Sequence, residues 1–507
     1  MKGVIKFSGY THRFLARFVI EAETPLAVSS GEKDVLTDAL VATDVNGLPY
    51  IPGTAIAGVV RHMLEDVSNQ EADEYGRSLI EKLFGYQETK KQKEAREKAQ
   101  KAKNEKVEDL SKGSEIIYTE AKILNSEGKV IDGMNLDVRT KDPLLQNYNK
   151  LPIRQHVRIN DKGVTDKTGK FDEQVVFAGT RFCFELEMVA KDDVIDSFNK
   201  VIEQVQSRTF RSGGGTRSGF GKIKVKDLQT KTLDLTKQEQ LKAYLEKSSS
   251  LNSDFWDSKY HEPESNNKYD GWVKYELKLR PEDFFLFGSG FGDEDVDMTP
   301  VKEKKVVWEN DVNGRLSEDL VLIPAASVKG ALAHRVAFHY NKTNHVYAEY
   351  FTTDEEREKV VGKNNEAVKA LFGSEGEKDA DNKMINQQRG NLLFSDVIKD
   401  ELTDESDKIL NHVAIDRFTG GAIDGALFSE KTTYGKGQEF ILTILVKESA
   451  LKGEKVKDSL EAAMIDICKG LLPLGGGVNR GNGTFSGSLF ENNVEVYPED
   501  KRKEEQK

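Results

Sequence analysis

One uncommon pattern occurs twice in this chain, and any fold must house both copies. IPGTAIAGVVRHMLE at 51–65 returns as IPAASVKGALAHRVA at 323–337. HVRIND at 156–161 returns as HVAIDR at 412–417, and FRSGGGTRSGFGK at 210–222 returns as LPLGGGVNRGNG at 472–483. The blocks keep their order at offsets of 272, 256 and 262 residues. That spacing is far beyond the ~20–50 residues of a solenoid unit, so whole domains are duplicated. With 507 residues the chain has room for two cores. The expected layout is a first domain over 1–228, a polar linker at 229–270, a second domain over 271–495 and a charged tail at 496–507. Residues 88–114 are charged and almost free of apolar side chains, which reads as a surface insertion, either a solvated helix or disorder.

Charged residues make up 32% of the chain and apolar ones 37%, the balance of a soluble globular protein. The two cysteines, Cys183 and Cys468, exclude a disulfide framework and a four-cysteine zinc site. The first residues, MKGVIKFSGYTHRF, lack the apolar stretch of a signal peptide, and no run of about 18 apolar residues exists to span a bilayer. A cytoplasmic protein with no membrane partner is therefore expected. The net charge of −12 argues against a simple nucleic-acid binder, because phosphate affinity comes mainly from Lys and Arg. A basic groove on an acidic protein is still compatible, since attraction follows the distribution of charge.

Periodicity predicts the elements. RFLARFVIEAET (13–24) reads as a strand, and Ile56, Val59, Val60, Met63 and Leu64 form one face of a helix over 53–67. FCFELEMV (182–189) alternates as a half-buried strand; a helix over 194–206 and a strand at 222–225 follow. The second half repeats the series with a strand at 272–280, a helix at 326–338, a strand at 439–446 and a helix at 457–471. The expected fold class is α+β, two tandem ferredoxin-like (RRM-like, βαββαβ) domains.

The glycine loops fail both nucleotide templates. Neither Gly213-Gly214-Gly215 nor Gly475-Gly476-Gly477 continues to the spacing of a dinucleotide fingerprint, and Thr216 and Ile223 break the P-loop pattern around Lys222. Two readings stay open: tight turns, or backbone nests that let peptide N–H groups approach a phosphate beside Arg211, Arg217 and Arg480. The small residues after Pro52 and Pro324 allow close packing or expose a helix N-terminus to an anion. GDEDVDMTP (292–300) is not a calcium loop, because Met298 and Lys304 occupy its glycine and glutamate positions.

The proline-led helices, the HVRIND and HVAIDR segments and the C-terminal Gly-rich loops together resemble the RAMP superfamily, and within it the Cas-seven branch of type III CRISPR backbone subunits. HVAIDRFTGGAIDGALFSEKTTYGKGQEF (412–440) is similar to that family's hairpin, and VLTDALVATDVNGLPYIPG (35–53) to its active-site loop. Two such modules in one chain resemble the fused subunits of type III-D systems. The resemblance implies ferredoxin-like palms, hairpin thumbs, guide RNA, target RNA and other effector subunits as partners, and magnesium- or manganese-dependent cleavage of the target. Asp38 matches the catalytic aspartate, with Asp34 as the competitor and Leu40 in place of the expected proline. In the longer second loop Asp297 is the best equivalent, followed by Asp295 and Asp293. Asp38 and Asp297 would hold the metal. RNA contacts are implied for Thr54, Arg61, His62, Arg158, Arg211, Gly213, Gly214, Gly215 and Arg217, and for Ser327, Lys329, His334, Arg335, Arg417, Gly475, Gly476, Gly477 and Arg480. A non-catalytic scaffold, or a guide-processing ribonuclease using His62 or His334 as general acid, is the alternative.

Overall fold

A computed structural model describes residues 9–498, except 36, 68–77, 91–92, 95, 99–110, 192–193, 258–268, 270, 379–383 and 400–405. The core of the 88–114 insertion and most of the charged tail lie outside the described residues.

The first half runs β1 (His12–Ala22), α1 (Gly53–Val67), β2 (Ile116–Tyr118), β3 (Ile153–Ile159), β4 (Thr165–Gln174), β5 (Arg181–Ala190), α2 (Ile195–Gln206) and β6 (Ile223–Asp234). Its antiparallel sheet has the order β2-β5-β1-β6. Phe14, Ala16, Phe18 and Ile20 line one face of β1, and Ile56, Val60 and Leu64 of α1 with Phe198, Val201 and Val205 of α2 cover it. The α1 residues belong to the stripe that the sequence predicts, and α2 occupies the helix expected over 194–206.

The second half repeats the plan with β7 (Trp272–Pro281), α3 (Ala325–Thr343), β8 (Leu392–Phe394), β9 (Asp407–Ile415), β10 (Ala422–Tyr434), β11 (Phe440–Lys447), α4 (Glu454–Cys468), β12 (Phe485–Glu491) and β13 (Val494–Tyr497). The sheet order is β8-β11-β7-β12-β13, which is the first sheet's order plus one edge strand. β13 includes the first two residues of the expected tail.

Two expectations change. The segment read as a linker begins inside β6, continues as a helix (Gln238–Leu245) and buries Trp256 against Leu15, Leu233 and Leu235. It thereby covers the second face of β5, which was expected to face solvent. Glu185 is buried there and accepts hydrogen bonds from Trp256 Nε1 and Lys247 Nζ, both at 2.6 Å. The polar composition of this segment hid Leu233, Leu235 and Trp256.

The second change concerns the longer loop of the second half. After Pro300 it forms a hairpin of its own, Val306–Glu309 with Asn313–Leu316, which reaches into the first half. Val306 joins the first-half core, and Trp308 Nε1 donates to Gly179 O at 2.8 Å. The Trp308 ring lies 4.3 Å from the Arg181 guanidinium, and Arg181 Nη2 pairs with Asp311 at 2.7 Å. Trp308→Ala is expected to destabilise the chain by about 3 kcal/mol, near the lower end for aromatic truncation because the ring is only half-buried. Denaturant unfolding would measure it, and a change within error of zero would show that this arm merely rests on the first half.

Candidate nucleic-acid interface

Each half carries a hairpin outside its main sheet: β3–β4 in the first, β9–β10 in the second. The HVRIND and HVAIDR segments form their first strands, with His156 opposite Phe171 and His412 opposite Phe428. The aspartate loop of each half is stitched to the returning strand of its hairpin. Asp38 N donates to Asp172 O at 3.2 Å, and Asp172 N donates back to Asp38 Oδ2 at 3.1 Å. Asp297 N donates to Ser429 O at 3.1 Å, and Ser429 N donates back to Asp297 Oδ2 at 2.8 Å. The next residues repeat the match, with Ala39 bridging Glu173 and Met298 bridging Glu430. Asp38 and Asp297 therefore occupy the same place, although the sequence around them differs.

Asp34 and Asp293 also match one another, in a different role. Asp34 Oδ1 accepts from Thr37 N at 2.6 Å, and Asp293 Oδ1 accepts from Val296 N at 3.0 Å, so each closes the turn before the paired aspartate. Asp295 follows in that same turn. The Ser429 amide and then its hydroxyl hold the Asp297 carboxyl below the usual carboxylate range; Lys431 does the same for Asp293. Among the described residues no group of three His, Cys, Asp or Glu is arranged to hold a metal without help. Beside Asp38, however, Asp172 Oδ1 is shielded from solvent and has no hydrogen-bond partner among the described residues.

The glycine loops pack beneath these aspartate loops. Gly214 N donates to Ala27 O and Gly476 N to Leu286 O, both at 2.6 Å, so the middle amide of each loop is engaged within the protein. Gly221 (φ +73°) and Gly483 (φ +78°) cross the carbonyls of Ser212 and Leu474, where a Cβ would stand 2.0 Å from the oxygen. Gly221→Ala or Gly483→Ala is expected to lower stability by at least about 1–3 kcal/mol from backbone strain. A thermal melt would read the loss, and an unshifted melt would contradict this packing.

Several residues expected at RNA have protein partners in this structure. Arg211 is buried, donates to the Arg208 and Phe210 carbonyls, and burial brings its guanidinium down to about 10, so it stays cationic at neutral pH. Arg217 Nε donates to Gly390 O at 2.8 Å across the two halves. Arg480 pairs with Glu430, a carboxylate with 0% exposure that also meets His412 and Asn482. Arg335 and His339 share Asp466, and Arg61 and His62 share Glu65. Arg158 faces Glu375 at 3.3 Å, His334 meets Ile159 O, and Lys329 lies beside Ser218. The start of α3, which includes Ser327, already holds a carboxylate: Ala325 N donates to Asp396 Oδ1 at 2.7 Å. Thr54 and Ser327 are exposed, and Arg417 lies in the exposed turn of the second hairpin. The pairings with Glu430, Asp466, Glu65 and Glu375 are in keeping with an acidic chain.

Sequence reasoning overlooked the hairpin bases. His156 Nε2 stands 2.9 Å from Glu173 Oε1 without the alignment of a hydrogen bond, and His412 Nε2 is 3.1 Å from Glu430 Oε1. The signal was a repeated Phe-x-Glu at 171–173 and 428–430. It also overlooked Arg154, which is 4% exposed and joins Glu303 and Asp396 of the other half.

The RAMP superfamily model matches residues 19–224 and again 287–486, which together span well over half of the chain. The chain belongs to the RAMP superfamily. The two matched regions fall on the two sheet-and-hairpin units. As a RAMP protein it is a CRISPR-associated, RNA-binding subunit whose partners are CRISPR RNA and other effector subunits. No curated protein matches it. No helix among the described residues is long and apolar enough to cross a membrane.

Proposed function

We propose that this RAMP protein is a two-module backbone subunit of a type III CRISPR complex, fused as in type III-D-like systems, which grips guide RNA and cuts complementary target RNA at two spaced positions. Each half would act as a ferredoxin-like palm; the support is a strand order in which the strands on either side of each helix alternate across the sheet. The carrying observation is the matched stitching of Asp38 and Asp297 to their hairpins, which puts a carboxylate at the root of each proposed thumb.

In the first module Asp38 would orient the attacking 2′-hydroxyl and accept its proton, while the bond to Asp172 N fixes the carboxylate's direction. Asp38, with Asp172 beside it, fits a magnesium ion, which takes few protein carboxylates and completes its shell with water and phosphate. The ion would supply charge neutralisation at the scissile phosphate. The second module keeps the aspartate but has Ser429 where the first has Asp172, so its donor set is poorer by one carboxylate. A scaffold role draws on the same bonds, since both aspartates also tether a hairpin. Sequencing of co-purified RNA tests the subunit assignment: a narrow length class with a constant end is expected, and random fragments would count against it.

A further inference from the structure

The second aspartate loop carries an aromatic ring on a fixed backbone. Phe291 O accepts from Thr299 N at 3.1 Å and from the hydroxyls of Thr299 and Ser289 at 3.0 and 2.9 Å. Phe291 N donates to Ser289 Oγ at 3.1 Å. Gly292, the next residue, crosses so close to Asp297 that a Cβ would stand 2.8 Å from its carbonyl oxygen. Phe291 is thus anchored next to the Asp297 backbone, yet its ring is 59% exposed.

A single exposed phenylalanine is ordinary on a protein surface. Here, however, the loop does not need the ring. In the first half Glu32 N donates to Ser30 Oγ and Leu40 N to Glu32 O, both at 3.1 Å. These are the bonds that Phe291 makes with Ser289 and Thr299, so the same backbone is built around a glutamate. Nor does the ring belong to either main core. What it meets is a cation from the other half: Lys170 Nζ lies 5.9 Å from the ring centre, and Lys170 has no ion-pair partner among the described residues. The hairpin that brings Lys170 touches the loop directly, since a Cβ on Gly290 would stand 2.0 Å from Gln155 Oε1.

A fixed, open aromatic face beside an unpaired ammonium suits a nucleotide, whose base stacks on the ring while its phosphate complements the cation. An apolar protein surface would cover the ring but desolvate Lys170 without pairing it. At the matching place of the first half Glu32 offers neither term, because a carboxylate has no face to stack on and repels phosphate.

We infer that Phe291 stacks on a nucleobase of the target strand at the second cut, and that it gives this cut a preference for a purine that the first cut lacks. A purine presents the wider π-face and stacks more strongly. The choice of strand rests on the cleavage reading above; the stacking contact does not.

The test uses the assembled complex and a target RNA with 2′-deoxy residues at the two cuts, which removes the attacking hydroxyls. 2-Aminopurine is placed in turn at target positions around the second cut. Stacking dims this base, so one position should be dim in the parent and brighten in Phe291→Glu, which carries the residue the first half already holds on this backbone. Fluorescence that ignores residue 291 at every position would overturn the inference. With an all-ribose target, Phe291→Glu should slow the second cut by roughly tenfold, the scale of one lost base–aromatic stack, and leave the first unchanged. Phe291→Tyr, which keeps the face, should cut like the parent. Equal second-cut rates on purine and pyrimidine targets with matched guides would refute the preference. Phe291→p-benzoylphenylalanine should crosslink to the target strand, and a crosslink to a polypeptide or to the guide would also overturn the inference. A parent complex that makes no second cut but shows the Phe291-dependent fluorescence would refute cleavage by this module and support the stack.

Discussion

Replacing Arg154 with alanine is expected to lower stability by about 3–5 kcal/mol, among the largest effects available to one substitution in this chain. Burial works to lower the guanidinium's pKa, but Glu303 and Asp396 together outweigh it and hold the group above its usual value. Removing the cation leaves two buried carboxylates of the second half without the guanidinium they share. Asp396 is also the acceptor for Ala325 N, so the start of α3 is disturbed as well. Thermal unfolding should shift to lower temperature, and added salt should mask little of the difference because the triad is shielded from solvent. Arg154→Met combined with Glu303→Met should recover much of the loss, since apolar replacement of buried ions is often close to neutral. An Arg154→Ala melt that overlays the parent curve would mean that the other contacts between the halves, among them the Trp308 arm and the Arg217–Gly390 bond, hold them without the triad.

The second large effect is on cleavage. Asp38→Asn keeps an oxygen to accept from Asp172 N but removes the charge, so it separates tethering from chemistry. In the assembled complex it should suppress the products of one cut by about 10²-fold or more, the usual scale for losing a general base, while guide RNA stays bound. Asp297→Asn should suppress the other cut. If Asp38→Asn cuts at the parental rate, the aspartate is a hairpin tether and the scaffold reading stands. The pH response has a definite sign at Asp297. Its pKa is lowered by Ser429, so the carboxylate and its stabilising bonds are present above the ordinary carboxylate value and are lost only as pH falls through the lowered one. Cutting that depends on Asp297 should therefore persist to lower pH than an unassisted aspartate would allow.

Much of the fold was legible because both periodicities were clean. The apolar stripes of α1 and α2, and the alternation along β1, are local patterns that tertiary contacts reinforce. The segment 235–257 was not legible, because one tryptophan and a few leucines in polar surroundings carry no period, yet they suffice to cover a sheet face. At the candidate site, the family resemblance singled out Asp38 by its spacing to Asp44, whereas Asp297 had lost that spacing. The bonds to Asp172 and Ser429 restore the equivalence. The protein partners of the cations read as RNA contacts were not legible, since a residue type says what it can bind and not what lies beside it. Arg217 and Arg480 found a carbonyl and a carboxylate more than forty residues away.

The duplicated blocks establish that there are two similar modules and where their helices lie, as consequences of short-range pattern; the hairpins and the candidate aspartates entered through the family resemblance. How the modules join was decided only in three dimensions. Arg154 reaches Glu303 and Asp396, Trp308 reaches Gly179, and the first hairpin lies on the second half because charge and shape meet across separations of over a hundred residues. The same packing leaves the second hairpin, built on the same motif, facing outward.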